Sequence, residues 1–250
     1  MLFGKSYLIV SSFVLSLFSF SCNNNNLYKI EQPKGIYKEY ILDEFGGVQR
    51  TEFVSDDFES SENCQQCHPH QYKDWSQSMH AFSMQDPIFF SKWNSAQNRY
   101  PDTGERFCVQ CHNPIAFITG IDLTEYETKE ALETSNLSLA IKEGIGCDIC
   151  HSTTSLSKTV HTGDNLAAVA EYYLNPGENI KYGSIKNPDY TAYHKSEYNP
   201  IFKRSEFCLP CHDITIRGIE AEITFSEWNR NPFLAMSGAL SCQDCHMPKQ

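Results

Sequence analysis

Past residue 20 the sequence has no long hydrophobic run, so no later segment reaches the ~20 apolar residues that a membrane-spanning helix takes. A basic cluster is missing too. The 31 acidic and 20 basic residues leave a net charge of −11 spread along the chain, which argues against nucleic acid as a partner. The same charge suits docking on basic patches as well as plain solubility. Apolar residues are moderate at 40%, so a core built from chain alone would be thin. Finally, cysteines outside pairs are almost absent: of eleven, only Cys22 stands alone.

Cys22 closes a segment that reads as an export signal. Lys5 gives a positive start, Ser6 to Phe20 is apolar apart from serines, and Ser21 is small. An unpaired cysteine at that place resembles the lipid-modified cysteine of a bacterial lipoprotein, although Ser19 and Phe20 depart from the usual lipobox. Residues 1–21 are therefore expected to be removed. Asn23 to Asn26 would form a hydrated tether, and the membrane would be reached by a lipid anchor. The expected location is periplasmic or outer-membrane-attached.

The remaining ten cysteines fall into five motifs, each followed at once by histidine. They are Cys64–Cys67–His68, Cys108–Cys111–His112, Cys147–Cys150–His151, Cys208–Cys211–His212 and Cys242–Cys245–His246. Two thiols three residues apart can form thioethers with the two vinyl groups of one haem, and the next histidine then reaches the iron as proximal ligand. Structural zinc and disulfides also use paired cysteines, but neither needs a histidine directly after every pair. Thioredoxin-like chemistry would use one motif. Five haem c groups are expected, and their apolar faces supply the burial that the chain lacks. Trp75, Trp93 and Trp228 are then expected to pack on porphyrin.

Four histidines lie outside the motifs: His70, His80, His161 and His194. Five irons need five sixth ligands, so at least one haem uses another group or a ligand from another subunit. If Cys64 to Ser83 is one helix, His80 lies about 18 Å along the axis from His68 and serves a different haem. His70, two residues from His68, cannot reach the opposite face of the same iron. Met79, Met84, Met236, a lysine or water are candidates for the missing ligand, while Met247 is poorly placed next to His246.

The motif spacing is uneven, which excludes a strict solenoid repeat. Residues 22–60 read as a tether and N-terminal extension, and 61–250 as one haem-packed domain. The expected class is mainly α with long irregular loops and little regular sheet. Helices are expected at the motifs, at Leu137 to Glu143 before Gly144, and from a capping box at Thr224 to Glu227, stopping by Gly238. Between motifs three and four, Pro176, Gly177, Gly183, Pro188 and Pro200 predict mostly loop, carrying His161 and His194.

With these motifs placed, the chain resembles the multihaem cytochrome c superfamily. That group includes the tetrahaem electron carrier of ammonia oxidisers, hydroxylamine oxidoreductase and the octahaem tetrathionate reductases. The resemblance rests on CQQCHPHQYKDWSQSMHAFS, with its Tyr, Trp and Ser-x-His-Ala after the haem motif. GIGCDICH, YHKSEYNPIFKRSEFCLPCHD and TFSEWNRNPFLAMSGALSCQDCHMP extend it over most of residues 61–248. It implies distal ligation by His80 and His194, and offers no counterpart for His70. Such proteins commonly continue past the final CHMP block, whereas this sequence stops at Gln250, which makes the haem of His246 the candidate for the odd one. The resemblance implies electron transfer between a redox donor and acceptor. The rival is an enzyme acting on a small nitrogen or sulfur compound at one open iron. No lysine replaces a motif histidine, and no catalytic residue can be assigned.

Overall fold

A computed structural model describes residues 40–42, 48–99, 104–156, 162–163, 172–177, 179–216, 219–231, 233 and 240–247. The segment 1–21, Cys22, Asn23 to Asn26, His161, Met236 and Gly238 lie outside them. Among the described residues no helix is long and apolar enough to cross a membrane.

Strands β1 (Tyr40–Leu42) and β2 (Val48–Thr51) pair antiparallel ahead of a run of helices. These are α1 (Ser61–Gln65), α2 (Pro69–Ser76), α3 (Pro87–Arg99), α4 (Gly104–His112), α5 (Pro114–Thr119), α6 (Lys129–Thr134), α7 (Leu139–Lys142) and α8 (Cys147–His151). Short strands follow: β3 (Thr153–Leu156), β4 (Thr162–Gly163), β5 (Tyr172–Leu174), β6 (Ile180–Gly183) and β7 (Lys195–Tyr198). Helix α9 (Leu209–His212), strands β8 (Ile214–Ile216) and β9 (Ile219–Glu222), and helices α10 (Thr224–Arg230) and α11 (Cys242–His246) complete the order. Pairing is antiparallel for β3 with β5 and β8 with β9, and parallel for β4 with β8 and β6 with β7. The fold is thus mainly α, with little regular sheet. The interval between motifs three and four, expected as mostly loop, carries five of these short strands.

Local chemistry explains the starts. Pro69, Pro87 and Pro114 each open a helix, where the missing N–H is no loss. The Ser60 hydroxyl accepts from Glu62 N at 3.1 Å, Thr128 Oγ1 from Ala131 N at 3.2 Å, and Asn113 Oδ1 from Ala116 N at 3.2 Å. Fully buried Asn113 is satisfied on its other side as well, donating from Nδ2 to Ile141 O at 2.7 Å. A single helix from Cys64 to Ser83 does not form: the chain breaks at His68, and Pro69 begins a new helix that ends at Ser76. The expected capping box at Thr224 is also absent, because the Thr224 hydroxyl donates to Glu222 Oε2 at 3.2 Å and Ile223 holds the cap position.

The chain-built core draws on residues from Phe53 to Leu174. Helix α5 buries Ile115, Phe117 and Ile118, each worth ~1.5–3 kcal/mol, against Trp93, Met84, Leu132 and Ile141. Phe53 and Phe58 join the same cluster, so residues just ahead of the first motif are packed with it. Trp93 stacks on Phe89 with centroids 5.6 Å apart and sits inside this core, on protein rather than on a cofactor face. Trp75 donates to Ile145 O at 2.9 Å and ties α2 to the approach of motif three.

At Gly144, φ is +74°, and a Cβ there would collide with Ser83 Oγ and press on His112 O and Met84 Cγ, each at 3.0 Å. Gly144→Ala is therefore expected to destabilise the holoprotein by at least ~1–3 kcal/mol. Guanidinium unfolding checks it, and an unchanged midpoint would contradict the close approach.

Candidate metal centres

Five motif histidines project from turns of helix that the sequence places directly after paired thiols. Two of them face a second imidazole. His68 and His194 have ring centroids 6.3 Å apart, and His80 and His212 are 6.4 Å apart. A first-row metal sits about 2 Å from an imidazole nitrogen, and the centroid lies roughly 1 Å further back, so two rings on opposite sides of one ion stand about 6 Å apart. Both pairs have that separation.

Second hydrogen bonds orient the rings. His151 Nδ1 donates to the Tyr182 carbonyl on β6 at 2.7 Å, and His112 Nδ1 to Ser83 O at 3.2 Å. His194 Nδ1 does the same to Lys195 O at 3.1 Å. A carbonyl only accepts, so in the rings of His112 and His151 the proton is on Nδ1 and the Nε2 lone pair is left for a metal. Partial desolvation by the surrounding chain lowers the pKa of His80, His112 and His151 below the ordinary histidine value, which favours the neutral, ligating form. Aromatic rings cover two of the faces: Phe89 stacks on His112 at 4.1 Å and Phe202 on His151 at 5.6 Å.

Thiols of different motifs meet. Cys64 donates to Cys147, which pushes the Cys64 pKa up and brings that of Cys147 down to about 7. Cys111 donates to Cys211, with the same opposed directions. Cys208, pushed up to about 12 chiefly by burial, also bonds Cys242. Half-buried Cys150, pushed up to about 12 chiefly by desolvation, also feels Cys211 and Cys208. Motifs one and three, two and four, and four and five are therefore neighbours, and motif three also approaches motif four. Cys67 and Cys245 are exposed.

These residues fit haem c. Each motif offers two thiols and one histidine with a free nitrogen, and exposed apolar side chains flank the ligand positions: Met79 beside His80, Tyr193 beside His194 and Met247 beside His246. A porphyrin has the apolar faces to cover them. His70 is exposed on α2 and lies in neither ring pair. Met84 is buried in the protein core, and Met79 and Met247 are exposed.

Several supporting groups escaped sequence reading. Asp148, 1% exposed between the thiols of motif three, pairs with Lys181 Nζ at 2.6 Å and accepts from Glu59 N at 2.8 Å. Glu143 accepts from Ser60 Oγ at 2.6 Å and Ser61 N at 2.8 Å. Only the serines three places before Cys64 and Cys208 left a trace in the spacing.

Residues 63–152 match the family model for cytochrome c554 and c-prime. A penta-haem cytochrome c552 from Thermochromatium tepidum has a similar fold, with a TM-score of 0.55 and 21% sequence identity over 77% of this chain. The match takes in 54% of that chain, so this one spans about half of its length. A search of curated proteins finds no match.

Proposed function

We propose that this chain is an exported pentahaem c-type cytochrome that passes electrons between redox partners. The reading is carried by the two imidazole pairs, His68 with His194 and His80 with His212, set at the spacing of two ligands to one iron. Haem c, when bound, supplies an iron that cycles between two oxidation states. The chain does the rest. Its ten motif thiols hold the cofactors covalently, its histidines fix the iron axis, and carbonyls of Ser83, Tyr182 and Lys195 lock ring orientation. Neighbouring motif thiols place successive cofactors side by side, which is what transfer between them requires.

The net charge of −11 favours steering toward basic patches on a donor and an acceptor. Lipidation at Cys22 would hold the protein on a membrane from the periplasmic or outer face. Tuning of each site through ligands and hydrogen bonds belongs to the protein.

Expression in a bacterium able to mature c-type cytochromes tests this. A haem assay on denatured protein is expected to count five covalent haems per chain, and electron paramagnetic resonance to show low-spin iron unresponsive to nitrite. A count of zero sinks the cytochrome reading. A high-spin signal abolished by nitrite replaces the carrier with an enzyme that acts on a small nitrogen compound.

A further inference from the structure

Motifs one and four share a feature that the others lack: a serine three residues before the first cysteine, Ser61 and Ser205. Both serines open the helical turn that leads into their own motif. Both are buried, at 0% and 1% exposure. Neither hydroxyl is spent on its own helix. Ser61 Oγ accepts from Cys147 N at 2.9 Å, and Ser205 Oγ accepts from Cys242 N at 2.9 Å.

Each accepted N–H belongs to the first residue of another motif helix, α8 or α11, one of the donors that a helix leaves without an internal partner. In both cases the two motifs joined are those whose leading thiols also meet, Cys64 with Cys147 and Cys208 with Cys242. The preceding residue Gly146 has no side chain to do this job, and a Cβ there would crowd Ser61 Oγ at 3.0 Å. Local reinforcement differs between the pairs. Glu143 clamps Ser60 and Ser61 in one, and Gln243 Nε2 donates to Arg204 O at 2.7 Å in the other. The serine is the constant part.

We infer that Ser61 and Ser205 are positioning residues that cap the neighbouring motif's helix across the pair and thereby fix the mutual orientation of two adjacent haems. The inference rests on haem occupying these motifs. A hydroxyl at this place sets how one attachment helix is rotated against the next, because it binds the backbone of the residue that carries the thioether. The interaction therefore acts on orientation between cofactors and leaves each iron's own ligands alone.

Circular dichroism of the Soret band reads that orientation directly, since adjacent porphyrins give a paired positive and negative signal that depends on their relative angle. In the five-haem holoprotein, Ser61→Ala and Ser205→Ala are each expected to lose part of this couplet, with haem count and electron paramagnetic resonance unchanged. Ser205→Thr, which keeps the acceptor oxygen, is expected to restore it. Ser226→Ala is the control, because Ser226 Oγ donates to Asp213 Oδ2 at 2.9 Å beside the fourth motif without joining two motifs. Its couplet should match that of the unsubstituted protein. An intact couplet in both serine variants overturns the inference, as does an equal loss in Ser226→Ala or a five-haem protein without a couplet. A missing haem complement sinks the cytochrome reading itself, so the two failures are told apart.

Discussion

Replacing His80 by alanine is expected to turn one low-spin haem, the one carried by His212, into a high-spin haem open to cyanide, with the haem count unchanged. The His80 ring lies 6.4 Å from that of His212, and desolvation and the neighbouring His212 lower its pKa, which favours the neutral form that binds a metal. His194→Ala should do the same to the haem of His68, whose ring it faces at 6.3 Å. His70→Ala, on an exposed histidine outside both pairs, should change neither. His80→Met keeps a sixth ligand and should raise that site's potential, as methionine ligation does in cytochromes c. Electron paramagnetic resonance with cyanide titration decides the matter. A spectrum unaltered by His80→Ala would remove this residue from the iron.

A second large effect is expected at Lys181. Its ammonium is the 2.6 Å partner of Asp148, whose side chain is 1% exposed, while the lysine itself is 19% exposed. Lys181→Met leaves a buried carboxylate with only the Glu59 N–H at 2.8 Å, and breaking a buried pair from one side costs about 3–5 kcal/mol. Adding Asp148→Asn to that variant should recover much of the loss, because the uncompensated charge is then removed. Guanidinium unfolding of the holoprotein measures both. If the single variant unfolds with the parent, the pair has no structural weight.

The two predictions draw on different levels of legibility. The five motifs stood out because five adjacent residues make up each, and His80 and His194 were visible as spare histidines in a recognisable block. Which motif histidine each one faces was not readable. His80 meets His212 and His194 meets His68 across more than a hundred residues, and no local pattern encodes that closure. The Cys64 to Ser83 helix failed on a signal that was present, Pro69, which favours a fresh start over continuation. At Thr224 the short-range motif lost to a competing acceptor, Glu222, supplied by the end of β9. The Lys181 pairing and the serine hydroxyls were invisible for a further reason: in sequence, a half-buried lysine looks like a surface one, and Ser61 looks like any helix-opening serine.

The meeting of thiols has one more consequence. Motif four adjoins motifs two and five through their thiols and lies close to motif three, and motif one adjoins motif three. The order in which the motifs adjoin is therefore not the order in which the chain strings them. On the carrier reading, the neighbourhood of the fourth motif is a junction where the second, third and fifth converge.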